Sequence, residues 1–181
     1  MAREHSYSAT VTWTGNSGQG TAGYKAYTRD YDIACAGKPT IAGSADPAYR
    51  GDASRHNPED MLVAALSACH MLWYLHLCSA AGVVVTAYED AADGVMQTHP
   101  PGGEGEFTRV TLRPRVTITP ESDADAAERL HEQANANCFV ARSVNFPVDH
   151  QATIVKAQRA PSRTSAGRTP EGAQTTPDGP R

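Results

Sequence analysis

The residues best suited to chemistry are four cysteines, at positions 35, 69, 78 and 138 of the 181-residue chain. No two of them form a C-x-x-C pair, so neither a zinc ribbon nor a thioredoxin-type motif is expected. Four thiols are also too few to build a disulfide scaffold. Each cysteine is therefore either a small core hydrophobe or a chemical group. Cys69 and Cys78 fall in one apolar run, nine residues apart. In a helix that spacing is about 180° around the axis, so the two cannot share a site. Cys138 differs, because it directly follows an expected helix end, where a thiol can meet or leave solvent. A thiol that can meet a second thiol has redox chemistry open to it.

Seven histidines raise the question of a metal. His70 and His76 are six apart, not the four that places two ligands on one helical face, so no metal site is expected. The chain has no G-x-G-x-x-G, no P-loop and no G-x-S-x-G. Nucleotide cofactors and serine hydrolase chemistry thus find no support, and no cofactor is expected.

The elements that must position these thiols can be read along the chain. Tyr7, Ala9, Val11 and Trp13 alternate with polar residues, the period of a half-buried strand. A turn over 15–20, a second strand over 22–30 and a short third over 31–35 follow. Residues 42–57 read as an irregular connection. The strongest element comes next. Asn57 is a good N-cap, Pro58 suits the first helical position, and Glu59 and Asp60 favour the positive end of the helix dipole. Gly82 suits the position after the helix end. The intervening run predicts a helix of about 24 residues, about 36 Å long.

That helix is apolar nearly all round, so it should be enclosed on several sides. A membrane span is disfavoured by the interior His70 and His76 and by the lack of flanking Lys or Arg. A strand is expected over 83–88, with 94–97 as its continuation. A further strand runs from 110 to 118, with Arg109, Arg113 and Arg115 on its outer side. Ser122 and Asp125 read as a capping box opening a second helix to about 135–137. The last strand is expected over 149–157. The order is that of an α+β fold. A second copy of the chain is the simplest cover for the long helix, so a homodimer is expected.

Apolar residues make up 40% and charged residues 20% of the chain, and the formal net charge is −4. Collagen, coiled-coil and wholly disordered classes are excluded, and nothing in the charge points to nucleic acid or an anionic membrane. Residues 160–181 contain four prolines and three glycines but no Val, Ile, Leu, Met, aromatic or Cys residue. They read as a disordered Pro/Gly/Thr-rich tail behind a domain over 1–159. The first fifteen residues hold no continuous apolar stretch, so no secretory signal is expected and the default compartment is the cytoplasm.

The run from Asn57 to Met71, N-P-E-D-M-L-V-A-A-L-S-A-C-H-M, resembles the N-P-E…A-C segment of the OsmC/Ohr family, the osmotically inducible and organic hydroperoxide resistance proteins. Cys138 also falls where the family's second cysteine falls, after the second main helix. The element order resembles the family from about residue 6 to 157. The resemblance implies strands wrapped around a long central helix, in an intertwined homodimer with active sites at the interface. It implies a thiol-dependent peroxidase that reduces organic hydroperoxides to alcohols, with Cys69 peroxidatic, Cys138 resolving, and Glu59 the site glutamate.

The family also uses an arginine. One branch places it in the first turn, where residues 15–20 have none. The other places it shortly before N-P-E, which favours Arg50 and leaves Arg29 and Arg55 open. A lipoyl-type dithiol is the implied reductant. Met71, Trp73, Phe139 and Phe146 could wall an apolar pocket for bulky peroxides, or simply pack in the core. The competing readings are a non-catalytic relative that binds a small apolar ligand on the same fold, and an interaction protein in which the tail matters most.

Overall fold

The computed structural model describes residues 3–99 and 104–158. The expected tail over 160–181 lies outside the described residues. The N-terminal part is a three-stranded antiparallel sheet of β1 (Thr10–Trp13), β2 (Tyr31–Ala34) and β3 (Ile41–Gly43), in the order β1-β2-β3. It is smaller than the sequence pattern suggests. Residues 22–30 form turns with a single bridge between Asn16 and Tyr27 in place of the expected strand. Positive φ angles at Gly18 and Gly20 carry the chain through this segment, and the Asn16 side chain accepts both their N–H groups. β3, in turn, reaches into the stretch read as irregular.

Helix α1 (Pro58–Ala80) follows the sequence closely. The Asn57 side chain accepts the Asp60 N–H at 2.7 Å, and Pro58 occupies the first turn. Gly82 adopts φ 72° just past the end, and Val83 N–H closes onto the Cys78 carbonyl at 2.9 Å. By length and composition α1 could cross a membrane. In the structure its stripe Leu66, His70, Tyr74 and Cys78 is buried, while Ala64, Ala65, Ala68, Leu72 and His76 are exposed. One chain thus covers one face of the helix and leaves an apolar face open.

Behind α1 lie two three-stranded sheets, β4-β7-β9 and β5-β6-β8. Their strands are β4 (Val85–Asp90), β5 (Asp93–Thr98), β6 (Gly105–Leu112), β7 (Pro114–Ile118), β8 (Val148–His150) and β9 (Thr153–Lys156). Each of the three strands expected here is therefore two, one in each sheet. The crease passes through Asp90, Arg113 and Gln151. Pro114 has no N–H to give a ladder, and the Arg113 N–H turns aside to the Asp90 carboxylate at 2.6 Å. The alternation survives the break: Val110, Leu112, Pro114, Val116 and Ile118 are all buried. Of the three arginines outside them, Arg113 pairs with Asp93.

Helix α2 (Ala124–Asn137) packs on α1 through Ala127, Leu130, His131 and Ala134. Its cap is Asp123, one residue later than the sequence suggests. The Asp123 carboxylate accepts the Asp125 and Ala126 N–H groups. Ser122 instead holds Thr119 and the Val84 N–H, tying the turn to the start of β4.

The helix pair encloses a polar contact. His70 Nε2 and His131 Nδ1 lie 2.9 Å apart, both side chains fully buried, with the His150 ring 5.6 and 5.8 Å from theirs. Each neutral ring has one N–H. Either tautomer pair therefore leaves one N–H and one lone pair unpaired, at His70 Nδ1 and His131 Nε2, among the described residues. Burial, reinforced by His150, lowers the His70 pKa from 6.5 to about 4. Burial, with His70 and His150, lowers that of His131 to about 3.

Between pH 6.5 and these values the unfolded chain takes up protons that the folded chain refuses. Stability is thus complete above pH 6.5 and falls with falling pH, by about 1.4 kcal/mol per pH unit for each histidine. Urea midpoints should drop between pH 6.5 and 5, where carboxylates hardly titrate, and the drop should be smaller in His131→Gln. A flat profile over that interval would contradict this assignment.

Candidate active site

Cys69 sits half-buried at the middle of α1, and Cys138 is buried at the C-terminal cap of α2. The packing of the two helices makes the two thiols neighbours, near enough for Cys69 to act on the titration of Cys138. The other two cysteines are elsewhere: Cys78 is in the core against Val83 and Val116, and Cys35 follows β2. The thiol pair is asymmetric. Burial first, then the hydrogen bond with Cys69, push the Cys138 pKa up to about 11, against the opposing Ala141 N–H at 3.4 Å. Cys138 is thus a protonated thiol at neutral pH, poised to follow rather than to lead a nucleophilic attack.

Of the four apolar residues considered for a pocket, two flank this pair. Trp73, one turn beyond Cys69, and Phe139, next to Cys138, meet edge to face at 5.4 Å. Phe139 is 70% exposed and Leu72 63%, so the rim is open. Phe146 packs at a tilt on Phe107 beside the core, and Met71 lines a different cavity.

Glu59 lies in the first turn of the same continuous helix, ten residues before Cys69. That is about 15 Å along the axis, beyond the reach of a glutamate. It faces a cavity of about 430 Å³ that it shares with Trp13, Tyr27, Arg29, Tyr31 and Tyr49. Arg29 is held there by hydrogen bonds to the Tyr27 and Tyr24 carbonyls at 2.8 and 2.9 Å, with its guanidinium over both rings. Arg50, the arginine favoured by the sequence, does not line this cavity. It ends a short 3₁₀ turn with φ 67°, exposed, 5.7 Å from the Tyr24 ring. Arg55 is engaged by Asp52 at 3.7 Å and Asp30 at 3.9 Å. The structure thus makes Cys69 and Cys138 neighbours, and it places Glu59 and Arg29 on the wall of one separate cavity. Sequence reasoning missed Tyr31 and the aromatic clamp on Arg29. The cluster of Tyr24, Tyr27, Arg29 and Tyr31 was a signal for the clamp, because alternating tyrosines around an arginine are its natural cation–π partners.

Residues 51–153 match the family model described as OsmC-like protein. The chain belongs to the OsmC-like family. Among solved structures, an OsmC-like protein of unknown function from Vibrio cholerae is 30% identical, with a TM-score of 0.75, covering 83% of this chain and 100% of its own. An organic hydroperoxide resistance protein from Elizabethkingia anophelis is 17% identical, with a TM-score of 0.61 and coverage of 87% and 100%. An organic hydroperoxide resistance protein OsmC from Legionella pneumophila is 14% identical, with a TM-score of 0.58 and coverage of 84% and 98%. The last two share the fold alone. Among curated proteins none matches the chain. OsmC-like membership accounts for the long central helix and for the mixed sheets behind it.

Proposed function

We propose that this OsmC-like protein is a thiol-dependent peroxidase that reduces organic hydroperoxides, acting as a homodimer in which each site combines two chains. The observation that carries the reading is that two free thiols from separate helices, 69 residues apart in the chain, are neighbours. The thiolate of Cys69 attacks a peroxide oxygen, giving a sulfenic acid and an alcohol. The Cys138 thiol condenses with the sulfenic acid, releasing water and forming the disulfide. An external dithiol of the lipoyl type then returns both thiols. The open rim of Trp73 and Phe139 favours bulky apolar peroxides over hydrogen peroxide.

The second half-site, Glu59 with Arg29, comes from the partner chain. A guanidinium stabilises a thiolate and the alkoxide that develops beside it. The open apolar face of α1 and the exposed strand β1, with Val11 and Trp13 on it, supply the surface for such a partner. The alternative, a non-catalytic binder of small apolar ligands, is favoured by one observation: no arginine is paired with Glu59 by an ion pair among the described residues.

Intact mass separates the two readings. After one equivalent of cumene hydroperoxide, the peroxidase loses two hydrogens as a Cys69–Cys138 disulfide, whereas a binder keeps its mass. Cys138→Ser carries the test further. This variant completes one turnover, which leaves one oxygen on Cys69 as the sulfenic acid, and a second equivalent of peroxide adds another as the sulfinic acid, because nothing removes the sulfenic acid. A normal steady-state rate with no gain of mass would show that Cys138 does not resolve.

A further inference from the structure

Two buried oxygens, on residues that line the Glu59 cavity, lack a hydrogen-bond partner among the described residues: Glu59 Oε2 and Tyr31 Oη. Both are shielded from bulk water, and each unpaired group of this kind is costly to bury. Their residues line the cavity from separate elements, α1 and β2. The Tyr31 ring owes its position to the residue opposite it in the ladder, Gly43, where any side chain would overlap the ring. One orphan is a donor, the phenol O–H, and the other is an acceptor, the carboxylate. They are close enough for the Glu59 charge to act on the phenol. A single small molecule bearing both an acceptor and an O–H satisfies both, and R–O–O–H is such a molecule.

We propose that Tyr31 is a catalytic residue, the general acid that protonates the alkoxide released from an organic hydroperoxide. The assignment rests on the peroxidase reading above and on the shared site, in which the Tyr31–Glu59 cavity of one chain receives the peroxide attacked by Cys69 of the other. The Glu59 carboxylate accepts the terminal O–H and turns that oxygen towards the thiolate. The sulfur–oxygen bond forms as the O–O bond breaks. Sulfur is oxidised to the sulfenic acid, which keeps the terminal hydrogen, and the O–O electron pair leaves on RO⁻. Tyr31 gives its proton to RO⁻, yielding ROH, and the tyrosinate recovers a proton from water. Burial and the Glu59 carboxylate hold the phenol pKa above its ordinary 10, so the proton is present at neutral pH.

The test compares leaving groups. In pre-reduced protein, the peroxide-reduction step is timed with cumene hydroperoxide, whose alkoxide is strongly basic, and with peracetic acid, whose carboxylate leaves without a proton. Tyr31→Phe should slow the first by about 10²-fold, the scale of general acid catalysis, and leave the second nearly unchanged. A packing role predicts otherwise: removing an unpaired hydroxyl costs no hydrogen bond, and any general loosening slows both peroxides alike. With an active wild type, equal slowing of both peroxides, or of neither, overturns the assignment of Tyr31 and leaves the peroxidase standing. A wild type that consumes neither peroxide overturns both.

Discussion

Replacing Cys69 with serine should abolish peroxide consumption, a loss on the order of 10³-fold or more, as expected when a nucleophile is removed. Cys78→Ser should leave consumption nearly intact. The two residues differ by half a turn of one helix, and the fold has committed each face. Cys78 is 1% exposed, with burial raising its pKa, in a cluster with Tyr74, Val116 and Ile118. Cys69 is half-buried and neighbours the Cys138 thiol. The measurement is the rate of cumene hydroperoxide loss with a dithiol in excess. Because Cys78→Ser puts a hydroxyl into an apolar cluster, its thermal midpoint should fall while its rate per folded molecule holds. Equal loss of rate in both variants would defeat the assignment.

The second large effect is a recovery. Glu59→Gln and Cys69→Ser should each be inactive alone, yet regain activity when mixed and reannealed after partial unfolding. A mixed dimer has one complete site, made from the intact Cys69 of one chain and the intact Glu59 of the other. Random pairing then gives about a quarter of the wild-type sites. The argument is geometric. Because α1 is unbroken from Pro58 to Ala80, Glu59 and Cys69 stay about 15 Å apart along the axis and about 80° apart around it. No side-chain rotation joins them within one chain. If Glu59 only favours the helix N-terminus, an effect of about 0.3–1 kcal/mol, Glu59→Gln should lower the thermal midpoint without silencing the site. Confirmed subunit exchange without recovery would sink the shared site.

How far these features could be read from the sequence depends on how local their causes are. The course of α1 is set within a few residues of each end, by Asn57, Pro58 and Gly82, and its cysteine spacing follows from helical geometry alone. The crease was hidden because alternation continues in phase from Val110 to Ile118. Only Pro114 marked it, and a single proline also suits an edge strand. The segment over 22–30 has strand-like composition, but its backbone follows the turns set by Gly18, Gly20 and Asn16. The placement of Glu59 and Arg29 on one cavity joins two parts of the chain through tertiary packing, and no spacing encodes it. The tyrosine cluster could flag the clamp on Arg29, but the place of the Tyr31 ring left no mark, because it depends on the smallness of Gly43 on another strand.

The buried side chains form two clusters, and α1 belongs to both. Leu66 packs with Val110 and Leu112, while Tyr74 packs with Val116, Ile118 and the Ala127 side of α2. Cys69 and His70 lie between them. Cys138 lies at the same divide, after Ala134 of one cluster and before Val140 of the other. A bond between the two sulfurs would therefore be a clasp across the seam between two small cores. It would also close a loop of about 70 residues, which the chain-entropy model values at about 4 kcal/mol against unfolding. In its oxidised form the protein would be the harder of the two to unfold and to digest, and reducing that bond would loosen the join between its cores.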